Sequence, residues 1–206
     1  LGRTFTSPRL RAGYNSAMRF PSLRPLRTWP RPRRALMACC LLGSLVARPT
    51  FAAWPHDPNI NLPVCTAAGD QSPPIGCSDM NGGACFAWSD PRPGGFHLYA
   101  QRVLASGSLD PSWAVDGVAI GSLDGDVTFP AMCSGGPGGA IVAWRDSRGG
   151  GDIYAQHVAV TGVVDPVWTR YGIVVCSAIK NQTSPAIVSD GAGGAIVAWQ
   201  DARTDA

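Results

Sequence analysis

Three tryptophans are each followed two residues later by an aspartate and two further on by an arginine: Trp88, Asp90 and Arg92; Trp144, Asp146 and Arg148; Trp199, Asp201 and Arg203. An Asp/Arg pair in each unit could line a binding face. It could equally close the turn after a strand, the carboxylate taking local backbone N–H groups and the guanidinium pairing beside it. Catalysis needs one site rather than one per unit, so repetition favours the structural role. Asp124, Gly125 and Asp126, with Asp70 and Asn181 in the same phase, could offer oxygens to Ca²⁺. Their spacing lacks the full loop pattern of a calcium hand, and turn capping explains them more simply, as it does Asp79 and Asp190. His56, His97 and His157 hold different phases; they read as exposed, substitutable positions, and no two lie at zinc-ligand spacing. No nucleophile, zinc-protease or phosphate-loop motif occurs. There is no Glu, so a glycosidase would need two Asp, and no pair stands outside the repeated positions. The sequence therefore assigns no catalytic residue, no metal site and no cofactor, with calcium as the one weak candidate.

The elements that must position these residues are themselves repeated. GGACFAWSDPR, GGAIVAWRDSR and GGAIVAWQDAR place the tryptophans 56 and 55 residues apart. LYAQRV, with Tyr99 and Gln101, recurs as IYAQHV, with Tyr154 and Gln156, and Asp110-Pro111-Ser112-Trp113 recurs as Asp165-Pro166-Val167-Trp168. Pro74, Pro130 and Pro185 keep the same phase. Each unit holds four candidate strands. The first is an apolar run (61–65, 117–121, 172–176), and the second starts at the repeated Pro (74–78, 130–134, 185–189). The third carries the Trp (84–89, 140–145, 195–200), and the fourth carries the Tyr (97–103, 152–158). Gly-rich turns join the second and third. Ala195 to Trp199 is apolar at consecutive positions, which predicts a strand covered on both faces. Small four-stranded sheets stacked face to face supply that cover. The expected fold is therefore all-β: a partial β-propeller of tandem four-stranded antiparallel blades of about 55 residues, about 2.7 of them. The blades are expected at about 58–112, 113–167 and, incomplete, 168–206. A β-solenoid or a row of small sandwich modules is the rival architecture. Rings need about 4–8 blades, so the chain reads as a fragment whose partners include the remaining blades of a longer chain. An isolated arc would expose an apolar blade face.

Charge divides the chain. Ten of the 17 Lys and Arg precede residue 53 and none of the 14 Asp does, leaving 7 basic against 14 acidic residues in the body. The basic character belongs to the leader, so no nucleic-acid partner is expected. From Met18 an Arg-rich stretch, the apolar run Ala35–Ala47 and small residues at Thr50 and Ala52 follow the order of a signal peptide, 18–52, cut after Ala52. The run is shorter than the about 20 residues that span a bilayer, so no stable membrane span is expected after cleavage; an uncleaved anchor is the alternative. Residues 1–17 read as upstream or disordered sequence, and 53–206 as the repeats. Five cysteines follow the cut: Cys65, Cys77, Cys85, Cys133 and Cys176. Cys77 and Cys85 flank the first Gly-rich turn and fall across from each other if the hairpin centres on Asn81. They could form a disulfide in an exported protein, or they could be two buried small hydrophobes.

Ser189-Asp190-Gly191, Gly193 to Asp201 and Asp152 to Gln156 carry a resemblance to long secreted bacterial proteins built of tandem SDGxGGAIVAWxDxR…DIYAQRV units, often with C-terminal sorting domains. The likeness covers about residues 54–206. It implies a propeller-like extracellular module and no named enzyme. The first unit departs from it at Cys77, Met80 and Cys85. Taken together, the residues and the resemblance lead us to expect a non-catalytic secreted or cell-surface module that binds an extracellular protein or glycan or serves a structural role. The alternative is the propeller scaffold of a sialidase-like glycan-processing hydrolase whose catalytic residues lie in other blades.

Overall fold

The computed structural model describes residues 15–19, 59–92, 95–121 and 125–203, the first of these as backbone only. Most of the expected leader lies outside the described residues, as do the cut after Ala52, His56 and Asp124.

The described chain is all-β. Its strands are β1 (Asn15–Arg19), β2 (Ile75–Ser78), β3 (Ala84–Asp90), β4 (His97–Val103), β5 (Val118–Ala119), β6 (Val127–Ser134), β7 (Ala140–Asp146), β8 (Asp152–Val158), β9 (Ile173–Cys176), β10 (Gln182–Ser189) and β11 (Ala195–Asp201). They form two four-stranded antiparallel meanders, β2-β3-β4-β5 and β6-β7-β8-β9, and a three-stranded sheet, β1-β11-β10. No helix among the described residues is long and apolar enough to cross a membrane.

The sheets run out of phase with the sequence repeat. The apolar run at the head of a unit pairs backward: Val118 and Ala119 with β4, and Ile173–Cys176 with β8. Each sheet thus takes its fourth strand from the start of the following unit. Residues 61–65, expected as a strand, form none; among the described residues no Tyr-bearing strand precedes them to pair with. The second strand begins earlier than its Pro in two sheets. β6 and β10 start three residues upstream, and the ladder shifts register between Thr128 and Ala131 and between Thr183 and Ala186. Phe129 (φ 51°) and Ser184 (φ 52°) stand immediately before Pro130 and Pro185 in the left-handed region. The bulge lets the strand pass a residue that cannot donate to the ladder.

Two cores lie between the sheets. Ala140, Val142 and Trp144 of β7 pack with Cys85, Ala87, Leu98, Ala100 and Ile120 of the first sheet and its following loop. Ile141 and Ala143, on the opposite face of β7, pack with Ala195, Val197 and Trp199 of the third. The middle sheet is therefore covered on both faces, as its unbroken apolar run requires. β11 has nearly the same sequence but alternates: Ala195, Val197 and Trp199 are buried, while Ile196 is 38% exposed and Val188 beside it on β10 is 59% exposed. Sequence makes the strand apolar on both faces, and position in the stack decides whether the second face is covered.

Candidate functional site

Each Trp-bearing strand ends in the same polar cluster. Trp144 Nε1 donates to Asp146 Oδ2 at 3.0 Å, and Arg148 donates to Oδ1 through its backbone N (3.0 Å) and Nε (2.9 Å). The guanidinium also pairs with Oδ2 at 2.8 Å, lies 4.2 Å from the centroid of the Tyr154 ring, and donates to the Tyr171 carbonyl at 3.0 Å. The first sheet repeats this arrangement. Trp88 Nε1 (3.3 Å) and Arg92 N (3.0 Å) reach Asp90, Arg92 sits 3.5 Å over Tyr99, and it donates to the Asp116 carbonyl at 2.8 Å. In the third sheet Trp199 Nε1 (3.4 Å), Arg203 N (3.1 Å) and the Arg203 guanidinium bond Asp201. Asp90 and Asp146 are fully buried. Burial alone would raise the Asp90 pKa, but the Arg92 and Trp88 hydrogen bonds outweigh it and leave the carboxyl below its usual range. At Asp201 the Arg203 hydrogen bond dominates and lowers it. The cluster ties the strand end to the loop before the fourth strand. There Gly117 (φ 96°) and Gly172 (φ 89°) lie against the Trp, where an added Cβ would fall 2.8 and 2.6 Å from the indole Cη2. The sequence placed all eleven of these Trp, Asp, Arg and Tyr residues, and the structure brings them together sheet by sheet.

A second cluster, at the Gly-rich-turn end, differs from sheet to sheet. In the first, Asp79 Oδ1 caps the turn by accepting from Asn81 N (2.8 Å) and Gly83 N (2.7 Å). Its Oδ2 accepts from Arg102 Nε (3.0 Å) and Nη2 (2.7 Å), and Arg102 Nη1 reaches Asp110 at 2.9 Å. Desolvation raises the pKa of both carboxyls. Arg102 and the turn N–H groups at Asp79, and Ser112 with Arg102 at Asp110, more than reverse it. The second sheet has Gly135 in place of Asp79 and His157 in place of Arg102. An added Cβ on Gly135 would meet the imidazole at 2.8 Å, so the ring fills the volume where a carboxylate stands in the first sheet. His157 Nδ1 lies 3.0 Å from Asp165 Oδ2, the counterpart of Asp110. Asp165 is held low because that contact and the Val167 N–H overcome its desolvation. In the third sheet Asp190 again caps its turn, accepting from Ala192 N (2.8 Å) and Gly194 N (2.9 Å). A cleft of about 350 Å³ opens between these turns, lined by Met80, Pro137, His157, Ser189 and Ala192 with the intervening glycines.

The sequence reading of the histidines needs correction. His97 is 1% exposed, because it opens an interior strand and faces Asp90 across the ladder. His157 is largely covered by Gly135, Asp165 and Trp168. The Arg102 network was not anticipated either; its signal is the paired change from Asp79 and Arg102 to Gly135 and His157. Ser189 borders the cleft, but its hydroxyl accepts Gly191 N–H, as Ser78 and Ser134 accept from Met80 and Gly136 in the other turns. That is a turn contact, shared by all three units.

Cys77 and Cys85 stand directly opposite in the β2–β3 ladder, as the hairpin count predicts, and both are free thiols. Burial raises Cys77 to about 11 and Cys85 to about 12. Of the oxygen donors weighed for calcium, Asp126 has its backbone tied to Ser147, accepting from Ser147 N at 3.2 Å and donating to Ser147 Oγ at 2.9 Å. The Asn181 carbonyl accepts from Ala202 N at 3.1 Å. Among the described residues no three His, Cys or Asp side chains converge where an ion could sit. Compared with protein-family models, curated proteins and solved structures, the chain matches none.

Proposed function

We propose that the chain is a non-catalytic repeat module, a propeller-like arc exported to the cell surface or beyond, which binds an extracellular protein or glycan through its loop and turn faces. The observation that supports this most directly is the Trp–Asp–Arg cluster. Its carboxylates are buried and their lone pairs are taken by the Trp N–H, the Arg backbone N–H and the guanidinium in all three sheets. A repeated acid with no free lone pair directed outward holds strands together rather than performing acid–base chemistry. Stacked four-stranded meanders joined by face-to-face apolar cores support the propeller reading. The acidic body and basic, apolar leader support export.

The test is expression of the full chain in a bacterial host. The terminus of the exported product is sequenced, and the product is then screened against glycan and extracellular-protein arrays. Recovery of a product beginning at Ala53 that retains a saturable ligand supports the proposal. A chain kept in the cytosol with its leader intact, or turnover of a glycan substrate that Asp90→Asn or Asp146→Asn abolishes without unfolding the protein, would overturn it.

A further inference from the structure

The cleft between the Gly-rich turns has a chemistry of its own. His157 reaches it from β8, with Nδ1 3.0 Å from Asp165 Oδ2. The carboxylate accepts, so Nδ1 carries the proton of the neutral ring and Nε2 presents a lone pair. Among the described residues Nε2 bonds nothing. Glycine leaves it room: a Cβ added at Gly135 or Gly139 would fall 3.0 or 3.2 Å from that nitrogen. In the first sheet the corresponding place is filled by the Asp79 carboxylate and the Arg102 guanidinium, bonded at 2.7 Å.

The other groups around the cleft narrow the ligand. The N–H groups of Met80, Gly135, Gly136, His157, Gly191 and Ala192 are each taken within their own turn or strand. Among the described residues no Lys or Arg lines the cleft. A carboxylate, sulfate or phosphate would therefore give up its hydration for too few donors. An ammonium meets no lining carboxylate, and Asp165 is already bonded to the ring. With the turn N–H groups committed, an extended peptide finds no ladder to join. What the cleft offers instead is acceptors and one hydroxyl. Nε2 is the first acceptor, and the Gly135 carbonyl, 3.9 Å from a Cβ added at Gly193, is the second. The Ser189 oxygen takes Gly191 N–H, and its own proton has no acceptor among the described residues. Met80, Pro137 and Ala192 supply C–H walls. The volume, about 350 Å³, lies at the low end of the roughly 300–1,000 Å³ of small-molecule sites, room for a terminal sugar rather than a folded partner.

We propose that this cleft binds the neutral, hydroxyl-rich end of a glycan, one ligand hydroxyl donating to His157 Nε2 and the Ser189 hydroxyl donating to a ligand oxygen. The proposal rests on the binding role proposed above and gives it a place and a ligand class. Sugar hydroxyls both donate and accept, and the C–H face of a ring suits the Met80 and Pro137 wall. Asp165 is a positioning residue, which fixes the tautomer that leaves Nε2 open.

The probes are mannose-, galactose- and glucose-terminated oligosaccharides, each paired with the same chain ending in a uronic or sialic acid, titrated into the full chain by calorimetry. At least one neutral probe should bind saturably, and its acid-terminated partner at least about tenfold more weakly. His157→Ala should weaken the neutral probe about tenfold, the loss of one hydrogen bond. His157→Gln keeps an acceptor and should weaken it by less than about threefold. Ala192→Trp, at an exposed position of the third turn, should abolish binding by filling the cleft while the urea midpoint is unchanged, which separates loss of binding from loss of fold. Preference for the acid-terminated probes, binding that His157→Ala and Ala192→Trp both leave intact, or no saturable binding of any neutral probe would each overturn the proposal. Screening the same preparation against extracellular proteins separates the site from the wider role. A protein ligand without a glycan ligand keeps the binding role and sinks this site; no ligand of either kind sinks both.

Discussion

Truncating Asp146 tests whether the cluster is structural. Asp146→Ala removes the acceptor of the Trp144 indole N–H inside a fully buried site. An orphaned buried donor costs about 1–3 kcal/mol. The change also strips the anion from Arg148, and breaking a buried ion pair costs about 3–5 kcal/mol when the remaining charge has nowhere to go. Arg148 keeps the Tyr171 carbonyl and the Tyr154 ring and is 22% exposed, which places the combined loss near about 4 kcal/mol. With a urea m-value of about 2 kcal/mol/M, the midpoint falls by about 2 M. Asp201→Ala deletes the same atoms where Arg203 is 42% exposed and the indole bond is 3.4 Å. Solvent takes over the guanidinium, and the loss is about 1–2 kcal/mol. Asp146→Asn, which keeps an acceptor for the indole, should fall between the two. Far-UV circular dichroism is the appropriate assay, because the mutated site quenches or relieves its own tryptophan. Equal midpoint shifts for Asp146→Ala and Asp201→Ala, or a shift below about 0.5 M for the former, would refute the claim that the buried cluster clamps the strand ends. The binding-face reading of the Asp/Arg positions would then be the better one.

Other measurements address the rest of the architecture. Gly172→Ala should destabilise by about 3 kcal/mol, since it forces a Cβ against Trp144 at positive φ, whereas Gly191→Ala, at φ 76° with open space around it, should cost about 1 kcal/mol; paired urea titrations give both. Asp79, Asp90, Asp110, Asp165 and Asp201 titrate below their ordinary value in the folded chain. The unfolded chain therefore binds more protons between those lowered values and about pH 4, so stability should be fully present above about pH 5 and fall as acid is added. Asp152, raised by burial and by Asp146, works in the opposite direction and offsets part of the loss; midpoints from pH 3 to 6 measure the net slope. In the reduced native chain at pH 8, alkylation at Cys85, with its thiol near 12, should run at least about a hundredfold slower than after unfolding. Peptide mass mapping reads it out. Failure to label Cys77 and Cys85 after denaturation without reductant would show that the facing pair is oxidised.

Strand identity was legible in the sequence because two signals coincide. Apolar runs of the right length end at glycines, and the same run returns every 55 or 56 residues. β4 and β8 fall on their expected limits, and β3, β7 and β11 extend one residue further because the cluster Asp still pairs in the ladder. Which strand joins which sheet was less legible. A repeat has no intrinsic first residue, so 117–121 and 172–176 could be grouped forward or backward; pairing partners decide, and those lie on the Tyr strand before them. The bulges at Pro130 and Pro185 were hidden for a related reason. Pro marks where a donor is missing, but not whether the strand stops there or steps around it. The Trp–Asp–Arg site could be read because its three members fall within five consecutive residues. The Arg102 site could not, because Asp79, Arg102 and Asp110 come together only after two strands have paired.

The contrast between the two polar ends bears on where this chain is specialised. At the strand-end cluster the three sheets carry the same Trp, Asp and Arg, with the indole N–H, the Arg backbone N–H and the guanidinium on the carboxylate in each, so a change there is felt as lost stability. At the turn end they diverge, and the divergence is coordinated. Removing the Asp79 carboxylate alone would leave a buried guanidinium bound only to Asp110; replacing Arg102 alone would leave Asp79 with two turn N–H groups and an empty lone pair. The second sheet changes both at once, and the imidazole that replaces the guanidinium keeps the outer carboxylate, Asp165, while packing onto the vacated Cα of Gly135. The second sheet thus lacks the carboxylate–guanidinium bond that ties the turn of the first sheet to its Tyr-bearing strand. Its turn also bonds the neighbouring turn, through Gly138 N donating to the Asp79 carbonyl at 2.7 Å. The cleft opens at that turn. Rebuilding the first sheet's arrangement with Gly135→Asp and His157→Arg together should therefore fold and narrow the cleft. Either substitution alone should destabilise: Gly135→Asp by clash with the ring, and His157→Arg by an unpaired inner edge of the guanidinium. A double-mutant cycle with a favourable coupling of about 1–3 kcal/mol is the expected result, and additive single effects would show that the two positions changed independently.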